Sequence, residues 1–182
     1  MHAKAPATYD DLARVEGKAE LVNGEIVPMP PTGDGPGVAG DLILVSLWQY
    51  VAAGGVGLPV GDNKAFRVKL PHRQSFSPDA AFYTGPRTGM KFFEGAPVFA
   101  AEVRSEGDYR PRAEPAMAAK RADYFAAGTK VVWDVDLLGE DVVRKFVTPD
   151  AEKPAAVFRR GENADAEPAV PGWAMAVDDL FR

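Results

Sequence analysis

Asp79 and Glu102 are the residues of this chain whose type and setting point most directly to chemistry. Asp79 follows Pro78 and opens the apolar run Ala80-Ala81-Phe82-Tyr83, while Glu102 lies inside Val98-Phe99-Ala100-Ala101-Glu102-Val103. A carboxylate set in such a run is costly to bury unless a cation or hydrogen bonds compensate it. Two hard oxygen ligands on neighbouring strands suit Mg²⁺, which prefers a few carboxylates, waters and phosphate oxygens to a closed protein cage. Glu20, at the edge of a hairpin, could add a third carboxylate, although from the residues alone it reads first as an exposed strand position. Asp79 reads equally as a turn aspartate after proline.

A hydrolytic site also needs a group that orients water and carries positive charge against the developing negative charge. Lys120 and Tyr124 are four residues apart, which puts them on one face of the helix that follows Glu102. Spacing alone leaves Lys120 open to reading as a solvated helical lysine. Arg104 stands two residues after Glu102 and so points to the same face of the strand. It could clamp a phosphate, but its pKa is too high for a general base.

The elements that must position these groups can be read in order. Thr8 and Asp11 have the spacing of a helix cap ahead of Leu12 and Val15, predicting a short first helix. Ala19–Val22 and Glu25–Val27 flank Asn23-Gly24, the dipeptide that best tolerates a type I′ turn, so a hairpin follows. Pro28 to Gly37 is predicted to be a loop, and Leu42 to Val51 a helix stopped by Gly54-Gly55. Strands are expected at Ala65–Leu70, Asp79–Tyr83, Val98–Val103, Val131–Val135 and Val142–Val147. A helix runs from near Pro115 to Ala127, with Gly128 as its stop. Gly161 to Pro168 reads as a polar loop before the closing segment Pro171 to Phe181.

Composition sets the outer limits. At 182 residues and 46% hydrophobic content the chain can bury a full core, and it reads as one domain over 1–182 without repeats or linkers. The absence of cysteine excludes disulfides, thiolate-bound zinc and cysteine nucleophiles, and fits a reducing cytoplasm. No apolar run approaches the roughly 18 residues of a membrane span, and Met1-His2-Ala3-Lys4 lacks a signal-peptide core. A net charge of −5 argues against nonspecific coating of nucleic acid, leaving only a local cationic stretch through Arg104, Arg110, Arg112, Lys120 and Arg121.

Competing chemistries lack their residues. The only histidines are His2 and His72, which excludes a multi-histidine metal site, and a serine triad would have to pair His72 with Ser75, Ser77 or Ser105. His72, in a turn after Pro71, reads as solvated. Gly33-x-Gly35-x-Gly37 has no phosphate-binding lysine and reads as a flexible loop. Trp48, Trp133 and Trp173 fall in apolar segments and are expected in the core.

The order Pro78-Asp79, Glu102-Val103-x-Ser105, Lys120-x-x-x-Tyr124 and Gly128-x-x-Val131-Val132-Trp133-Asp134-Val135-Asp136 resembles the Uma-type restriction endonuclease family of the PD-(D/E)XK nuclease superfamily. Glu20-Leu21-Val22-Asn23-Gly24-Glu25-Ile26-Val27 and Pro171-Gly172-Trp173 with Leu180-Phe181 match the same pattern, so the resemblance covers about Tyr9 to Arg182. It implies a mixed α/β, restriction-endonuclease-like fold: a central mixed β-sheet flanked by helices, with an N-terminal helix and β-hairpin. It further implies Mg²⁺ or Mn²⁺ held by Glu20, Asp79, Glu102 and the Val103 carbonyl, with DNA as substrate. The superfamily's signature lysine position holds Arg104, and Lys120 on the next helix matches the Uma-type replacement. The second helix begins without the family's frequent histidine. The resemblance implies a metal-dependent endonuclease, and cutting both strands would call for two active sites, as in a homodimer; the alternative is a catalytically silent nuclease-fold protein that binds DNA or a protein partner.

Overall fold

The computed structural model of the chain describes residues 5–148 and 153–182; the Met1–Lys4 start lies outside them. The chain opens with α1 (Tyr9–Leu12), the hairpin strands β1 (Ala19–Val22) and β2 (Glu25–Pro28), and α2 (Asp34–Ala52). β3 (Leu58–Gly61), β4 (Phe66–Arg67), β5 (Ser75–Phe76), β6 (Ala80–Tyr83), β7 (Phe93–Glu94) and β8 (Phe99–Val103) follow. Then come α3 (Ala113–Ala126), β9 (Val131–Val135), β10 (Val143–Phe146), β11 (Ala156–Phe158), β12 (Asn163–Asp165) and β13 (Ala174–Ala176).

Six strands form the central sheet in the order β11-β10-β9-β8-β6-β3. β8 and β9 pair in parallel, with α3 as their crossover, and the other neighbours pair antiparallel. The fold is therefore mixed α/β around a mixed sheet, as expected from the sequence. Strand alternation divides the side chains between two faces. Phe82, Phe99, Ala101, Trp133 and Val135 pack with Ile43 and Leu47 of α2 and with Trp173 and Leu180 near the C-terminus. Ala81, Tyr83, Ala100 and Val132 pack on the opposite face with Tyr124 of α3 and with Phe66 and Phe76 of the small β5-β4-β7 sheet. Glu102 is two residues beyond Ala100 and Asp134 two beyond Val132, so both acids emerge on the α3 face, opposite each other in register.

The local signals act as their chemistry requires. Thr8 and Asp11 form a reciprocal capping box on α1. Asn23 and Gly24 turn the hairpin with φ of 51° and 70°, the positive values that a type I′ turn demands. Gly128 leaves α3 at φ 106°, a conformation closed to most other residues.

Several expectations are corrected. α2 begins at Asp34 rather than after Gly37, because Pro36 sits in the first turn, where its missing N–H has no intrahelical acceptor to serve. β3 was not anticipated, since Pro59 interrupts its pattern; it lies at the sheet edge, where proline is tolerated. The expected Ala65–Leu70 strand shortens to Phe66–Arg67, and the loop at Gly161–Pro168 contains β12, paired with β13. Trp133 and Trp173 stack in the core with centroids 5.1 Å apart, but Trp48 is 46% exposed on α2. No helix among the described residues is long and apolar enough to cross a membrane.

Candidate active site

One cavity of about 560 Å³ is lined by Lys18, Glu20, Asp79, Glu102, Lys120 and Tyr124, among others. Four separate elements deliver these residues. β1 carries Glu20, with Lys18 just before it, the turn into β6 carries Asp79, β8 carries Glu102, and α3 carries Lys120 and Tyr124.

Lys120 ties two of the acids together. Its ammonium nitrogen lies 3.0 Å from Glu20 Oε1 and 2.9 Å from Glu102 Oε1. One turn further along α3, the Tyr124 hydroxyl donates to Glu102 Oε1 over 2.5 Å, while its ring stacks on Phe76 at 4.0 Å between centroids. The helical spacing of Lys120 and Tyr124 thus converges on one carboxylate. Tyr124 is fully buried, so its hydroxyl serves Glu102 and does not form an exposed binding surface.

Glu20, read from the residues alone as an exposed strand position, is only 3% exposed. Its other oxygen accepts from Arg73 over 2.6 Å, and the Ser77 N–H donates to Glu20 Oε1 over 2.9 Å. Arg73 in turn donates to Asp123 of α3, and Asp123 meets the His72 ring at 2.6 Å. His72 remains 56% exposed in its side chain, as a turn residue should, yet it is tied to this network.

Asp79 is held differently. Its Oδ2 accepts the Val103 N–H over 2.8 Å and its Oδ1 accepts from Lys18 over 2.6 Å. Lys18 also reaches Asp62 at 2.7 Å. The Val103 N–H therefore faces the β6 side of the strand, whereas the Arg104 N–H goes to Val135 on the β9 side.

Arg104 lines the same cavity, but its guanidinium is engaged by acids. It donates from Nε and Nη2 to the two oxygens of Asp134, each over 2.7 Å, and from Nη2 to Glu114 over 2.8 Å. Arg121 joins both acids at 3.2 Å. Arg104 shares a sheet face with Glu102, as strand alternation predicts, and its pKa is raised mainly by the hydrogen bonds to Asp134.

The charges shape one another. Burial raises the pKa of Glu102, Lys120 opposes that rise, and the nearby Asp79 and Glu20 carboxylates add to it. Glu20 is also penalised by burial, but Lys120, Arg73 and the Ser77 N–H outweigh the penalty and lower its pKa. Burial works against the charge of Lys120, yet Glu102 and Glu20 hold its pKa above the ordinary lysine value. Lys120 is therefore a fixed ammonium at neutral pH and cannot serve as a general base.

Among the described residues, no three acid or histidine side chains are placed to hold a metal ion jointly. The donor chemistry still suits a hard cation, because Asp79 and Glu102 bring carboxylate oxygens to one cavity and Mg²⁺ needs only one or two of them. Glu20 is the poorer ligand, since Lys120, Arg73 and the Ser77 N–H already occupy its oxygens.

Sequence reasoning missed Lys18, Asp62, Arg73 and Asp123. Lys18 stands two residues before Glu20, and Arg73 two before Ser75 and four before Ser77. That period of two could have placed them on one side of their segments, but not against particular acids.

A mixed sheet with Glu102 near the end of its inner strand β8 and a helix-borne lysine against it defines a restriction-endonuclease-like nuclease scaffold. The family model described as "Putative restriction endonuclease" (Uma2) matches residues 6–178, and the chain belongs to that family. The crystal structure of "a putative nuclease belonging to DUF820" from Anabaena variabilis has the same fold, with a TM-score of 0.73 over 97% of this chain and 98% of that one, at 17% identity. No curated protein matches the sequence.

Proposed function

We propose that this protein is a metal-dependent endonuclease that hydrolyses DNA phosphodiester bonds. The observation that carries the reading is the partly buried Lys120 ammonium, bridging Glu20 and Glu102 in a cavity also lined by Asp79. Asp79, Glu102 and the Val103 carbonyl would hold Mg²⁺ or Mn²⁺; in an extended strand that carbonyl shares an edge with the Val103 N–H, the edge facing Asp79. The ion would supply Lewis acidity toward a phosphate oxygen and a more acidic bound water.

The chain's own residues do the rest. Lys120 places a permanent positive charge where negative charge develops as water attacks phosphorus and the bond to the leaving oxygen breaks. Glu20, expected as a third ligand, acts instead to hold Lys120, and Arg73 holds Glu20. Tyr124 orients Glu102. Arg104 contributes to substrate binding by keeping the cavity wall cationic, and it approaches a phosphate by leaving the exposed Glu114 while retaining Asp134. Cutting both strands of a duplex calls for two such sites, which a homodimer working in the cytoplasm would provide.

A second reading rests on a specific observation. Lys18 and Lys120 already neutralise Asp79, Glu20 and Glu102, which is how a catalytically silent, DNA- or protein-binding relative would stabilise retained acids. A plasmid-nicking assay with Mg²⁺ or Mn²⁺ separates the two. The nuclease reading expects nicking by wild type and its loss in Asp79→Ala, Glu102→Ala and Lys120→Ala. Absence of nicking by pure wild type with either metal, together with no metal binding, would leave the silent reading.

A further inference from the structure

Among the described residues, Lys18 is the one cation that touches Asp79, and its position follows from the sheet. β3 and β6 pair antiparallel with Gly61 opposite Ala80, so the next residues outward, Asp62 and Asp79, face each other where the two strands end. Like charges placed across a strand pair repel. Lys18, whose side chain is 11% exposed, lies between them, 2.7 Å from Asp62 and 2.6 Å from Asp79. Its backbone is anchored as well, because the Lys18 carbonyl accepts from the Met29 N–H over 2.9 Å. The ammonium is therefore aimed by the fold at one of the two carboxylates proposed to bind metal.

We infer that Lys18 is the resident counter-ion of the metal site: a divalent ion that takes Asp79 displaces the Lys18 ammonium, which is then held by Asp62. This rests on the metal-site reading above. The two acceptors make the exchange local, since Lys18 contacts both already and needs only to give up one. Asp62, with a side chain 41% exposed, keeps its own support from the Asn63 N–H at 2.7 Å and can carry the ammonium without Asp79. Lys18 thereby acts as a positioning residue. It keeps Asp79 paired and pointed inward, and it sets the concentration of metal at which the site fills.

The test uses Mn²⁺ and two readouts that do not depend on nuclease activity. In the first, wild-type protein is acylated with an N-hydroxysuccinimide ester, with and without saturating Mn²⁺, and labelling is read lysine by lysine by mass spectrometry. Lys18 labelling rises severalfold with Mn²⁺, while Lys64, which donates to the Asp62 backbone carbonyl and does not contact Asp79, stays constant. In the second, Mn²⁺ affinity is measured calorimetrically. Lys18→Met tightens it about tenfold by removing the competing cation, whereas Lys64→Met, an equal loss of charge nearby, changes it by less than about twofold. Mn²⁺ binding by Lys18→Met but not by wild type overturns the exchange, because the ion then fails to displace Lys18.

Unchanged Lys18 labelling at saturating Mn²⁺, or equal tightening in both variants, overturns the inference and leaves the metal site standing. Failure of wild type and Lys18→Met alike to bind Mn²⁺ overturns both. The labelling experiment requires no substitution, so it decides the matter even if Lys18→Met does not fold.

Discussion

Arg73 and Glu20 meet at 2.6 Å with both side chains withdrawn from solvent, joining the loop before β5 to the N-terminal hairpin directly behind Lys120. Removing one partner of a buried pair leaves the other charge uncompensated, which is far more costly than the net value of the pair. Arg73→Ala is expected to cost about 3 kcal/mol of unfolding free energy, read by urea denaturation. Nicking activity should fall as well, because Glu20 without Arg73 no longer fixes Lys120 in place.

Stability should follow pH on both sides of neutrality. Glu20 has a folded pKa below its ordinary 4.5, so its contribution is complete above that value and is lost as pH falls through the lowered one. Lys120 has a folded pKa above its ordinary 10.5, so its contribution is complete below that value and is lost as pH rises through the raised one. Thermal midpoints should therefore drop as pH falls through the lowered Glu20 value and as it rises through the raised Lys120 value. Glu102, its pKa raised by burial, adds a decline of the opposite sense to Glu20 as pH rises from 4.5 through its own raised value. Glu20→Gln should lower the maximum and shrink the acid drop, measured by circular dichroism melts across the range.

Tyr124→Phe keeps the ring stacked on Phe76 and deletes only the donor to Glu102. The expected loss of stability is about 1 to 2 kcal/mol. A hydrogen bond to a carboxylate favours its charged form, so the variant should raise the pKa of Glu102 further. The acid limb of the pH–nicking profile should move to higher pH, an outcome that loss of packing alone would not produce.

Asp134 is buried and shared by Arg104 and Arg121, with Arg144 at 3.9 Å. Asp134→Ala leaves several arginines facing one another beside Glu102, and it should destabilise the protein by about 3 kcal/mol. Much of that loss should be relieved by salt at the more exposed members of the cluster. Unfolding measured at low and high ionic strength checks both parts.

Much of the frame could be read from residue order. Asn23-Gly24 specified its hairpin turn, Gly128 the end of α3, and the apolar runs of β6, β8 and β9 their place in the sheet, because each signal acts through local sterics or period. Pro36 and Pro59 misled because proline's effect depends on whether its missing N–H is needed. That is settled by position in the helix turn or at the sheet edge. Trp48 misled because helical spacing around α2 does not show which side meets the sheet.

The candidate site divides in the same way. By itself the sequence determined that Glu102 would sit in a strand among apolar neighbours, that Lys120 and Tyr124 would share a helix face, and that Asp79 would lie at the head of a strand run, which the structure starts one residue later at Ala80. These are properties of period two and period 3.6. Only the tertiary structure decided that Lys120 binds Glu20 as well as Glu102, that Arg73 secures Glu20, and that Lys18 rather than Arg104 lies against Asp79. Those pairings join residues separated by 18 to 100 positions. Burial forces each such charge to find a partner, but which partner lies within reach is set by how the hairpin, the sheet and α3 pack together.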